Sequence, residues 1–438
     1  MEKLEYQTWE LEQRLKALDG ELDGWLNLTV NDVNYHRHHR QVESCVYLLR
    51  DIRAQVQPAA DHPVEDAIDA RERSKVVLGM FRIWEFLRGK LAQRREERFR
   101  EYLPLADEYA WLCYRPIYDA GLKEPPLIYL NGGYSPYTLT RQAELQAESV
   151  PRELIRDRRL MAAMASLPFP VIGVPWYQVE SLADLPVIGH EVGHSVEADL
   201  GLTGAIEAAV KGAVETARGG PWKPWCSELF ADVYGCLGCG PAFVSSLASF
   251  LATEDAAFEH PDYPPNAVRF RFNLEVLRSL QYCAAADALS VRWSGSFPLK
   301  AAHAEFTACN SAVAGALLDG VSLGRTSLRN AIPFAPLHKR AERLAGEAIG
   351  LDAIEAGEDM RTLVAAYRLG FDQLAESSDK DSFNNMLERL VRLKNAMTGA
   401  LQPDLRAGES PHPMQLDEER RRESGRARAQ FWLKELRK

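Results

Sequence analysis

Long apolar runs are missing from this sequence. No stretch approaches the roughly 20 apolar residues that a bilayer requires, so no membrane-spanning helix and no membrane partner are expected. The start, MEKLEYQTWELEQRLK, carries a charge every few residues and lacks the apolar core of a secretory leader; a cytoplasmic location is the expectation that follows. Cysteine is sparse: seven residues at irregular spacing in 438 leave an odd thiol and outline no disulfide framework, which agrees with a reducing compartment. A basic excess is also lacking. The net charge of −10 disfavours general nucleic-acid binding and says nothing of a substrate.

What is there reads as a globular enzyme of several parts. Hydrophobic residues make up 46% and charged residues 26%, and 438 residues exceed what one core organises. We expect an α+β, mostly helical protein: a helical N-terminal region over 1–110, a catalytic core over 111–290, and a helical C-terminal region with a basic tail over 291–438. Leu4, Leu11, Leu15 and Leu18 form one helical stripe, and Val77, Phe81, Trp84, Leu87 and Leu91 another. The run Arg94 to Glu101 and the cluster His36 to Arg40 read as solvated helix faces, as does the charged tail from Glu418 to Lys438. A Pro/Gly-containing break is expected from Gln402 to Met414.

Strand signals sit between 125 and 175. Leu127 to Leu130 runs into Asn131-Gly132-Gly133, and Pro170 to Pro175 is a short β-rich run with a proline at each end. Those prolines predict an edge strand, since a central strand could not lose the donors, and an edge there would accept an extended peptide by β-addition. Next, Asp184 and Pro186 suit the first turn of a helix over 185–200, with Asp184 as its cap. That helix carries His-Glu-Val-Gly-His.

In this helix His190 and His194 lie four apart, so both imidazoles leave one face and can reach one ion; two neutral nitrogens suit zinc. Glu191 would stand beside the open metal position as general base. Gly193 lets another backbone pack closely. A catalytic zinc needs a third protein ligand, and the helix expected from Ser227 offers Glu228 and Asp232, four apart: one to bind the metal, the other to accept a ring N–H and set a histidine tautomer. Leu229, Phe230, Val233 and Tyr234 leave Glu228 little room for a solvated face. Small Ala231 would let the two helices approach. Glu197 and Asp199 face away from, or past, such an ion. Cys236 and Cys239 have no matching second pair and read as buried and inert, while His303 and His338 read as packing or surface residues.

HExxH followed by ExxxD resembles the gluzincin clan of zinc peptidases, the thermolysin-like group whose third ligand is a glutamate. The resemblance implies His190, His194 and Glu228 as zinc ligands, Glu191 as base and Asp232 as second-shell carboxylate. His260-Pro261 with Arg269 downstream is similar to an element of the prenyl-CaaX-protease-like gluzincins. There a histidine steadies the tetrahedral intermediate and an arginine supports the site, which implies those roles for His260 and Arg269. The separation of the two residues is longer here, and that family's membrane helices are missing. Tyr263 is the alternative oxyanion donor. The resemblance covers about 170–269. It implies a soluble metallopeptidase acting on a peptide or protein; the alternatives are a zinc hydrolase of a non-peptide amide, and a helical interaction protein with a non-catalytic metal site.

Overall fold

A computed structural model describes residues 3–119, 124–133, 135–139, 167–217, 222–253, 263–346, 354, 357–376, 380–401 and 418–437. Their class is the expected one, mostly helical α+β, with one sheet of three strands and another of two. The helices are α1 (Lys3–Asn31), α2 (His39–Val56), α3 (Ala67–Ala92) and α4 (Tyr102–Asp119), then α5 (Ile188–Leu200), α6 (Thr203–Ala217), α7 (Cys226–Cys239), α8 (Pro241–Thr253) and α9 (Asn266–Ser279). Beyond them come α10 (Cys283–Trp293), α11 (Ala304–Gly320), α12 (Leu328–Ala331), α13 (Ala335–Ala345), α14 (Met360–Glu376), α15 (Lys380–Ala400) and α16 (Glu418–Arg437). The strands are β1 (Leu127–Asn131), β2 (Tyr137–Leu139), β3 (Val171–Pro175) and the hairpin β4 (Ser322–Leu323) and β5 (Thr326–Ser327).

The N-terminal layer follows from apolar periodicity. Leu11, Leu15, Leu18, Leu22 and Trp25 recur every three or four residues along α1 and are buried against α2 and α3. Asp66 opens α3 by accepting from the N–H groups of Ile68 and Asp69. The charged tail is not solvated as expected. Its Ala429, Trp432 and Leu433 share one helical face and are buried with α2 and α3, while Arg428 donates to the Leu167 carbonyl at 2.9 Å. Charge count hid this face because basic residues occupy the other sides of the helix.

Two further solvated faces prove partly buried. Arg94 is 2% and His38 1% exposed, because both meet Asp107 of α4, at 2.7 and 3.2 Å. For Arg94 a carboxylate in reach offsets what burial would cost an unpaired cation, while burial and the neighbouring Arg94 lower His38 and favour its neutral ring. Arg95 to Arg98 remain exposed, in short 3-10 turns rather than one helix. Position 110 falls inside α4 and position 290 inside α10. The expected break at 402–414 lies outside the described residues.

The sheet joins two cores. Its order is β1-β3-β2, with β1 parallel and β2 antiparallel to β3. Leu127, Tyr129, Leu139 and Val171 face the N-terminal core, whereas Ile128, Leu130, Ile172 and Val174 face the larger core built on α4 to α9. The proline-bracketed strand is therefore central, not an edge. Pro170 precedes it and contributes only a carbonyl, to Leu127 N at 2.9 Å, and Pro175 is its last residue, so the donors between them survive. Among the described residues the edges are β1 and β2, and β2 lies against α5.

Replacing Trp432 by Ala should cost about 3–5 kcal/mol, the range for truncating a buried Trp. Urea unfolding of wild type and variant measures this; an unchanged midpoint would show that α16 does not dock.

Candidate metal centre

Local chemistry delivers α5 to its place. The chain enters through a 3-10 turn, Leu182–Val187, where the Tyr109 hydroxyl donates to the Pro186 carbonyl at 3.2 Å. The α-helix begins at Ile188 rather than 185, and Asp184 lies within the turn instead of capping the helix, because the turn consumes the residues expected as its first turn. Gly201 ends it in the left-handed region, φ 63° and ψ 41°, which glycine adopts without steric cost. A second helix, α7, crosses α5 closely. A Cβ on Gly193 would stand 2.9 Å from both Ala231 Cα and Tyr234 Cβ, so only glycine permits this approach. Ala231 has the small-residue role expected of it.

The crossing brings His190, His194 and Glu228 together. The two Nε2 atoms lie 3.1 Å apart on perpendicular rings, and the Glu228 carboxylate straddles them, Oε2 at 3.3 Å from His190 Nε2 and Oε1 at 3.4 Å from His194 Nε2. One ligand atom from each residue can be chosen so that all lie within 4.8 Å of one another. Ligand arms of about 2.0–2.1 Å around a tetrahedral ion place donor atoms roughly 3.3 Å apart, close to the separations found. Buried Glu228 Oε2 has no hydrogen-bond partner among the described residues, although His190 and Arg269 approach to ion-pair distance. Buried carboxylates also outnumber arginines among the described residues here: Glu191, Glu228 and Asp232 are buried, and Arg269 pairs with Asp232 and Glu228. Two facing imidazole nitrogens, an unsatisfied carboxylate oxygen and excess negative charge fit a divalent metal, and a nitrogen-rich donor set suits zinc.

Outer residues orient each donor. Asp232, fully buried, lies 2.8 Å from His190 Nδ1, so that nitrogen carries the proton and Nε2 keeps its lone pair for the ion. Arg269 grips the same carboxylate twice, from Nε and Nη2, each at 2.8 Å, and Asn273 Nδ2 adds a donor at 2.9 Å. His194 has its own anchor. Its Nδ1 meets Ser227 Oγ at 3.2 Å, and because Ser227 donates to Glu197 at 2.6 Å, the serine oxygen accepts from the ring. Thr203 donates to the other Glu197 oxygen at 2.9 Å. On the opposite side Thr138 of β2 donates to Glu191 Oε2 at 2.7 Å.

The electrostatics follow from these contacts. Burial opposes charge on His190, but hydrogen bonds to Asp232 and Glu228 outweigh it and raise the ring to about 9. Burial likewise would raise Asp232, yet Arg269 brings it down to about 2, and the two histidines hold Glu228 well below the usual carboxylate range. The pocket favours a cation: without a metal it draws a proton onto His190, which a metal would displace.

Compared with profiles of protein families, with curated proteins and with solved structures, the chain finds no match. The site therefore rests on its own geometry. Among the candidate residues, His190, His194, Glu228, Asp232 and Arg269 converge, while Glu191 follows His190 on the same helix and its carboxylate meets Thr138. Tyr263 is 43% exposed, with the Arg269 guanidinium 5.7 Å from its ring centre; His260 lies outside the described residues. Cys236 and Cys239 are buried free thiols, pushed well up by burial. Sequence reasoning missed Thr138, Ser227 and Asn273, and weighed Glu197 only as a ligand. Asn273 was within reach of it, four residues after Arg269 on one helix face; Thr138 carries no local signal.

Ser227→Ala should lower zinc affinity about 10–100-fold, the usual effect of losing an outer partner of a ligand histidine. A competition titration against a chromogenic chelator measures this, and unchanged affinity would remove Ser227 from the site.

Proposed function

We propose that this chain is a zinc-dependent hydrolase, a soluble metallopeptidase of gluzincin type that cleaves peptide bonds. One observation carries the reading: a His190, His194 and Glu228 donor set, half-buried at His194, on a helix that also carries Glu191, 6% exposed and held in place by a hydrogen bond from Thr138. A purely structural zinc site fills all four positions with protein ligands, whereas three ligands and an adjacent acid suit a position kept for water. Zinc bound there would supply a Lewis acid for the scissile carbonyl and acidify its water.

The chain's residues would do the rest. Glu191 takes the proton of the attacking water and returns it to the leaving amine. Asp232 and Ser227 keep each ligand ring in the tautomer that offers Nε2. Arg269 balances Asp232 and Glu228, so that the pocket's negative charge is not excessive once the ion is in place. Tyr263 or His260 would donate to the developing oxyanion.

A peptide substrate is favoured over other amides by β2. This strand borders α5, pairs with β3 on one side, and is an edge of the sheet among the described residues, so an extended chain can add beside the site. No helix among the described residues is long and apolar enough to cross a membrane, and all seven cysteines are free thiols, which supports a cytoplasmic place of work.

Glu191→Gln keeps the shape of the site and removes the base. Zinc-loaded variant should bind about one ion per chain, as wild type does, while hydrolysis of a peptide library falls about 10²–10⁴-fold. Equal rates for variant and wild type across the library would end the reading.

A further inference from the structure

We propose that Thr138 is a positioning residue for the Glu191 base and couples the substrate-binding edge of the sheet to proton transfer; this rests on the hydrolase reading above. The side chain starts from the middle of β2, where Thr138 pairs with Ile172, so it leaves the sheet on the face shared with Ile128 and Ile172, toward α5. There its hydroxyl lies 2.7 Å from Glu191 Oε2 and 3.0 Å from the Glu191 carbonyl. That carbonyl is also met by the Ser195 hydroxyl, 3.3 Å away, so the carboxylate is the acceptor that most needs the single Thr138 proton.

Two consequences follow from this one bond. A donor on Oε2 stops rotation of the carboxylate about its last torsion, a soft and roughly two-fold one. It also leaves Oε1, which accepts nothing from the described residues, as the oxygen presented for the water proton. A bond to an ionised group is about twice as strong as one between neutral partners, and geometric control of a reacting group acts on kcat rather than on binding.

The bond also ties Glu191 to the placement of β2. This strand is three residues long and, among the described residues, lies at an edge of the sheet, so its position owes much to what pairs with it. An extended peptide adding to its outer side would steady β2, and Thr138 would pass that order to Glu191. Short peptides that leave the edge unpaired should therefore lose kcat as well as affinity.

Two measurements test this. In steady-state cleavage by zinc-loaded protein, Thr138→Val should lower kcat about 10–100-fold with KM changed less than three-fold and zinc content unaltered, while Thr138→Ser, which retains the hydroxyl, recovers most of the rate. In metal-free protein, thermal unfolding of Thr138→Val, Glu191→Ala and the double variant should be non-additive, the combined Tm shift falling short of the sum. A Thr138→Val enzyme with wild-type kcat, a serine variant as slow as the valine one, or additive Tm shifts would overturn the inference and leave the hydrolase reading standing. A wild type that cleaves nothing overturns the hydrolase reading instead, and with it this role for Thr138.

Discussion

The close crossing of α5 and α7 is the constraint on which the site depends. His190 and His194 are one helical turn apart by local geometry, but Glu228 reaches them only because Gly193 has no side chain to hold Ala231 and Tyr234 away. A separation larger by the width of a methyl group would carry the carboxylate out of bonding range of an ion shared with both rings. The same approach sets Asp232, one turn farther along α7, against His190 Nδ1. One glycine thus governs a candidate ligand and the partner of another together.

Electrostatics then make the crossing tolerable. Bringing Glu228 and Asp232 into a buried pocket beside Glu191 would be costly unless cations answered them. Arg269 answers Asp232 through a two-pronged contact, and α9 is held by packing so that this arginine arrives from a third direction. Among the described residues one arginine answers the two carboxylates Asp232 and Glu228. The remaining demand for positive charge falls on the space between His190, His194 and Glu228, where a divalent ion would satisfy both the charge and the facing lone pairs.

Periodicity made much of this legible in advance. The helical class, the motif helix and the pairing of Glu228 with Asp232 follow from spacings of three and four, which a helix converts directly into neighbours. Contacts between elements distant in sequence were not legible. Thr138 lies 53 residues before Glu191 on a three-residue strand, and nothing near it announces a carboxylate. The prolines around β3 suggested an edge because proline removes a donor, yet they stand at its very ends, where the ladder needs few. Trp432, Arg94 and His38 were misread for a related reason: charged neighbours mask a buried face that only tertiary packing reveals.

The central claim is that His190, His194 and Glu228 hold one metal ion. Anomalous diffraction at the zinc edge from crystals of zinc-loaded protein tests it most directly. The account predicts a single strong peak with His190 and His194 Nε2 and a Glu228 oxygen at about 2.0–2.2 Å and a position left for water. A zinc peak elsewhere, or none at these residues in protein that has taken up the ion, would contradict it.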